Sequence, residues 1–95
     1  MDDAHEPLRL SLLPNIGPVV ESQLNEVGIF TADQLAAVGS REAWLRILCT
    51  DPSACMNRLL SLEGAVRGIS KKLLDDETRA SLKEFYLANK PLGTR

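Results

Sequence analysis

Metal-ligating and redox-capable side chains are scarce in this chain. It holds one histidine, His5, and two cysteines, Cys49 and Cys55, among 95 residues. Two thiols without a second pair do not match zinc-ribbon spacing, and one histidine cannot complete a tetrahedral site. No metal and no cofactor is expected. Cys49 and Cys55 read either as a disulfide or as buried free thiols, and a cytosolic address favours the thiols. Long apolar runs are also missing, so nothing approaches the ~20 residues needed to cross a bilayer. The opening stretch, Met1 to Leu10, is acidic and lacks the basic start and apolar core of a secretory signal. The expected location is the cytoplasm. Positive charge is not in excess either. The formal net charge is −2, which disfavours strong non-specific attachment to nucleic acid. A phosphate loop, a nucleophile–base pair and paired carboxylates are all absent, so no reaction class has a foothold and an enzyme is not expected.

Helix formers are what the chain has in quantity. There are 16 Leu and 9 Ala against 5 Val, 4 Ile and 4 Thr. Straight-chain and small residues favour helix and β-branched residues favour strand. The fold class expected is all-α, a small single domain of five or six short helices. Residues 1–7 read as an N-terminal tail, residues 8–90 as the helical domain and residues 91–95 as a C-terminal tail.

Punctuation divides the domain. Leu8 to Leu13 reads as an apolar turn or short helix stopped by Pro14. A tight turn over Pro14, Asn15, Ile16, Gly17 and Pro18 follows, with Pro18 suited to the first position of a helix. Val20, Leu24 and Val27 recur on one face, and Gly28 ends that helix. Thr31 to Gln34 has the form of a capping box. Leu35 and Val38 face inward before Gly39. Ser40 reads as the cap of a helix carrying Trp44, Leu45, Ile47 and Leu48. Thr50-Asp51-Pro52 breaks it. Ser53 reads as the cap of a helix over roughly 54–67, closed by Gly68. Asp75 caps the last helix, roughly 76–89, whose stripe is Leu82, Phe85 and Tyr86. Trp44 is expected to anchor the core, its indole N–H aimed at a carbonyl or at solvent.

Two positions stand out. Glu63 falls inside the apolar arc of its helix, among Cys55, Met56, Leu59, Leu60, Leu62 and Val66. A carboxylate there must be paired or hydrogen-bonded. The partners open to it are Arg67, one turn on, and a helix N-terminus, after Pro18 or at Ser40. Gly64 beside it implies the close approach of another backbone. Gly17 is expected to hold a conformation or a close contact that a side chain would disrupt.

The segment Leu13-Pro14-Asn15-Ile16-Gly17-Pro18 resembles a helix-hairpin-helix element, in which N–H groups at a helix start can hold a phosphate. DNA-binding examples usually carry Gly at the position of Asn15 and Lys at that of Val19. Asn tolerates a left-handed backbone, so the turn can survive. The charge is uneven: residues 1–40 hold one base and six acids, residues 41–72 six bases and three acids. The bases Arg41, Arg46, Arg58, Lys71 and Lys72, with Arg67, are the candidate nucleic-acid contacts.

A wider resemblance covers residues 8–88. The hairpin, then Glu21, Val27-Gly28-Ile29 and Leu35-Ala36-Ala37-Val38-Gly39, is similar to the C-terminal domain of the TfoX (Sxy) competence regulators. Leu62-Glu63-Gly64-Ala65-Val66-Arg67-Gly68 resembles that family's Leu-Glu-Gly-Ala-x-x-Gly signature. The chain departs from the family at Val19 and Val20, where a cation and a small polar residue are common. The resemblance implies an all-α domain with a helix-hairpin-helix-like unit, no catalytic residues, and a link to the regulation of DNA uptake in bacteria. A protein partner is the expectation, either transcription machinery or a separate N-terminal domain of the TfoX type. The alternative is a weak DNA-binding module that uses the hairpin.

Overall fold

The computed structural model describes residues 9–90. The two tails expected at residues 1–7 and 91–95, with His5 and Leu8, lie outside the described residues. Among the described residues, five α-helices follow in order: α1 (Pro18–Glu26), α2 (Ala32–Val38), α3 (Ser40–Thr50), α4 (Met56–Arg67) and α5 (Asp76–Asn89). Short 3-10 turns at Leu10–Leu12 and Lys71–Leu73 complete the set. Among the described residues there is no strand, only an isolated antiparallel bridge between Arg9 and Thr31.

α4 is the central element, packed against α3, α5 and the Lys71–Leu73 turn, with α2 also touching it. α1 leans on α3 and on the Leu10–Leu12 turn. The core takes Leu10, Leu24, Ile29, Leu35, Trp44, Ile47, Leu59, Leu62 and Leu82, all fully buried. Burying one such side chain is worth about 1.5–3 kcal/mol. Trp44 sits at the α3–α5 contact, edge-on to Phe85 at 6.1 Å and to Tyr86 at 5.6 Å between ring centroids. Such edge contacts suit the aromatic quadrupole. Its indole N–H departs from expectation: it is buried and has no hydrogen-bond partner among the described residues.

Several boundaries follow the sequence. The Thr31 hydroxyl accepts from the Gln34 N–H, and the Gln34 amide reaches back to the Phe30 N–H rather than to that of Thr31. Asp75 accepts from the Thr78 N–H at 2.8 Å. Gly68 closes α4 in the left-handed region.

Four expectations are corrected. Ser40 is not a cap: Gly39, at φ 88°, both ends α2 and precedes α3, which leaves the Ser40 hydroxyl free for a tertiary bond. Ser53 is not a cap either. Its N–H and hydroxyl donate to the Asp51 carboxylate in a local turn, and α4 starts after Cys55. Cys55 therefore lies at a helix end outside the apolar arc, and both Cys49 and Cys55 are exposed free thiols rather than buried ones. Gly17 is neither strained nor crowded. Its φ of −96° and ψ of −174° are extended, and an added Cβ would meet nothing within 4 Å. The left-handed residue of the turn is Asn15, at φ 71°.

Candidate functional site

The turn over Pro14–Pro18 docks on the far end of α4 through one side chain. Asn15 Nδ2 donates to the Ile69 carbonyl at 3.0 Å and to the Ser61 carbonyl at 3.3 Å. Asn15 Oδ1 accepts from the Lys71 N–H at 3.1 Å. A single amide thus serves three backbone groups more than 40 positions away in the chain, two of which, the Ile69 carbonyl and the Lys71 N–H, have no other partner among the described residues. Gly64 makes room for it. A Cβ there would lie 2.5 Å from Asn15 Nδ2, 2.7 Å from the Ile69 carbonyl oxygen and 3.1 Å from the Lys71 nitrogen. The close backbone approach expected at Gly64 is present, and Asn15 is what fills the gap.

Glu63, next to Gly64, faces the opposite junction. Its side chain is 12% exposed. One carboxylate oxygen accepts from the Ser40 hydroxyl at 2.5 Å, and the other from Arg67 Nε at 2.6 Å. Arg67 lies where the i, i+4 spacing places it, whereas the second partner is the Ser40 side chain and not a helix-start N–H. Burial pushes the Glu63 carboxyl up. The Ser40 hydroxyl and the Arg67 guanidinium outweigh burial, with Arg41 adding to them, and hold it below the usual carboxylate range.

These groups border a polar groove between α3, α4 and α5. Its volume is about 250 Å³, and it is lined by Arg41, Glu63, Arg67, Glu77, Thr78 and Ser81. Arg67 Nη2 donates to the Thr78 hydroxyl at 3.2 Å, and Arg41 Nη2 to the Ser81 hydroxyl at 2.8 Å. The Arg41 guanidinium also lies 5.8 Å from the Phe85 ring centroid, within cation–π range.

The remaining candidate cations are dispersed. Arg46 bonds Glu42 one turn back at 3.1 Å and contacts the Val27 carbonyl. Arg58 donates to Gln23, which donates on to Asp51 at 2.7 Å. Asp51 is held low chiefly by Ser53 and Gln23. Lys71 Nζ reaches Asn57 at 2.9 Å. Lys72 is exposed on the neighbouring turn. The fold thus gathers Arg41 and Arg67 into one groove and attaches Arg46, Arg58 and Lys71 to three other places. Glu21, on α1, accepts from the Ser11 N–H and lies 3.9 Å from Arg9, which ties α1 to the Leu10–Leu12 turn.

Three contributors escaped the sequence reading: Ser40 as partner of Glu63, Asn15 as a tertiary bridge, and Arg79. The last donates to the Leu74 and Lys71 carbonyls and fastens the Lys71–Leu73 turn to α5. Only Asn15 carried a signal, an Asn at a turn position that the pattern gives to glycine. Among the described residues no group of three or more His, Cys, Asp or Glu is placed to hold a metal ion. No helix there is long and apolar enough to cross a membrane.

The chain has clear relatives. The model of the TfoX C-terminal domain matches residues 6–86. Protein Sxy of Escherichia coli (strain K12) is 35% identical over 77 residues, which cover 81% of this chain and 37% of that protein. The chain thus spans little more than a third of that relative's length. A crystal structure of an uncharacterized protein from Listeria monocytogenes is 49% identical, with a TM-score of 0.83 over 84% of this chain and 91% of that one. A second Listeria monocytogenes crystal structure, of a protein of unknown function, is also 49% identical, with a TM-score of 0.81 over 83% and 96% of the two chains.

Proposed function

The chain belongs to the TfoX C-terminal domain family, and from that premise we propose that it is a non-catalytic regulatory module acting through a protein partner. The process is the control of DNA uptake competence, and the partner is transcription machinery or an N-terminal domain of the TfoX type. The observation that carries the reading against direct DNA binding is the engagement of the hairpin. A phosphate-binding turn needs free N–H groups and a nearby cation. Here Pro18 supplies no N–H, Val19 replaces the cation, and the Asn15 side chain is turned onto α4. Arg46, Arg58 and Arg67 are paired with carboxylates within the fold, and Arg41 and Lys71 bond neutral side chains at separate places.

An exchange experiment tests this. The C-terminal domain of Escherichia coli Protein Sxy is replaced by this chain, and DNA uptake is scored beside a version lacking the domain. Uptake restored above the domain-less level supports the proposal. A folded, expressed chimaera that stays at the domain-less level overturns it.

A further inference from the structure

The α3–α4–α5 groove has charges that its own residues leave unpaired. Arg67 is paired with Glu63 at 2.6 Å. Arg41 and Glu77 line the same groove and form no ion pair among the described residues. The Thr78 and Ser81 hydroxyls each accept from an arginine, which leaves each O–H as a donor without an acceptor among the described residues. The lining as a whole is neutral: the guanidiniums of Arg41 and Arg67 with two hydroxyls, against the carboxylates of Glu63 and of Glu77, one turn before Ser81. At about 250 Å³ the space falls below the ~300–1,000 Å³ of pockets for drug-sized ligands. It has room for a small molecule, about eight waters' worth at ~30 Å³ each.

We infer that this groove binds a small zwitterion of the α-amino-acid class, its carboxylate on Arg41 with the Thr78 and Ser81 hydroxyls and its ammonium on Glu77. A plain anion gains Arg41 but meets Glu77 as a like charge. A plain cation gains Glu77 but meets both guanidiniums. Only a ligand with both charges satisfies both ends. The Ser81 bond and the Phe85 ring hold the Arg41 guanidinium in place before the ligand arrives, which lowers the ordering cost of binding. The site goes beyond the regulatory reading and does not depend on it.

The test is an NMR titration of the isotopically labelled full chain with glycine, L-alanine, acetate, methylammonium and inorganic phosphate in turn. Saturable shifts of the Arg41 side chain and of the Thr78 and Ser81 amides are expected with the two amino acids. Acetate and methylammonium should each bind at least about tenfold more weakly. Glu77→Gln, at an exposed position, should weaken amino-acid binding by about the same factor with the rest of the spectrum unchanged. Arg41→Lys keeps the charge but loses the planar fork and should also weaken it. Phosphate or acetate binding as tightly as glycine, with Glu77→Gln improving it, would overturn the zwitterion in favour of a simple anion site. No saturable shift with any probe in the millimolar range would overturn the site itself.

Discussion

Gly64→Ala separates tertiary packing from local propensity, because the two predict opposite signs. Alanine is the better helix former by about 1 kcal/mol, and Gly64 lies inside α4. On propensity alone the variant is more stable. The structure says otherwise. The new methyl would sit 2.5 Å from Asn15 Nδ2 and 2.7 Å from the Ile69 carbonyl oxygen. Asn15 could rotate away, but only by giving up its bonds to Ser61, Ile69 and Lys71. The Ile69 backbone cannot easily retreat, since its own N–H is bonded to the Gly64 carbonyl at 2.9 Å. Overpacking typically costs about 1–3 kcal/mol, and each hydrogen bond lost a further ~0.5–1.5 kcal/mol. With one of the three bonds lost, and against the propensity gain, the net expectation is a loss of roughly 1–3 kcal/mol. For a domain of this size that lowers Tm by roughly 4–8 °C per kcal/mol, read by circular dichroism at 222 nm. In an Asn15→Ala background the same substitution should cost less, because one of its clashes is gone. A Tm equal to or above that of the unmodified chain would refute the packing account of Gly64.

Asn15→Ala should cost roughly 2–4 kcal/mol by thermal melt, since it leaves backbone groups unpaired and puts at positive φ a residue that tolerates the left-handed region less well than asparagine. Asn15→Gly should recover only the conformational part, so a variant as stable as the parent would show the amide bonds contribute nothing. Gly17→Ala should change stability by no more than about 0.5 kcal/mol, as at other unremarkable surface sites; a larger drop would point to crowding there. Glu63→Gln should cost roughly 1.5–3 kcal/mol at neutral pH, the range for bonds to a charged group. Glu63, Asp51 and Asp75 are all held below their ordinary values, by Ser40 and Arg67 against burial for Glu63, by Ser53 and Gln23 for Asp51, and by Thr78 for Asp75. A depressed folded pKa gives stability that is complete above the unfolded value, roughly 4, and lost as pH falls through it toward the folded one. Tm should therefore be flat from pH 7 to about 5 and fall below that, and Glu63→Gln should shallow the fall; an identical acid slope would remove Glu63 from the explanation.

The helices were legible because their ends are written in the local chain. Thr31, Asp75, Pro18 and Gly68 act within one turn, so propensity and capping chemistry suffice to place them. The errors share a cause. Ser40 and Ser53 are good caps by type, but Gly39 at positive φ precedes α3 and Cys55 precedes α4, so the Ser40 hydroxyl goes to Glu63 and that of Ser53 to Asp51. Cys55 looked apolar by periodicity, yet the helix begins one residue after it. The groove was only half readable. Glu63 with Arg67 follows from i, i+4 spacing, whereas Ser40, Thr78 and Ser81 arrive from other helices, and nothing local encodes which faces meet. Asn15 and Gly64 each look anomalous alone, a non-glycine in a glycine turn and a glycine inside a helix. Only the fold shows that one anomaly accommodates the other.

Duplex binding tests most directly the claim that this module works through protein contact rather than through phosphates. A labelled duplex is titrated with the full chain by fluorescence anisotropy at about 150 mM salt, then across a salt series. The account predicts a Kd no tighter than the non-specific range of roughly 10⁻⁴–10⁻⁶ M and no sequence preference. Sub-micromolar, sequence-selective binding that weakens steeply with salt would contradict it and make the Asn15–Val19 turn a nucleic-acid site.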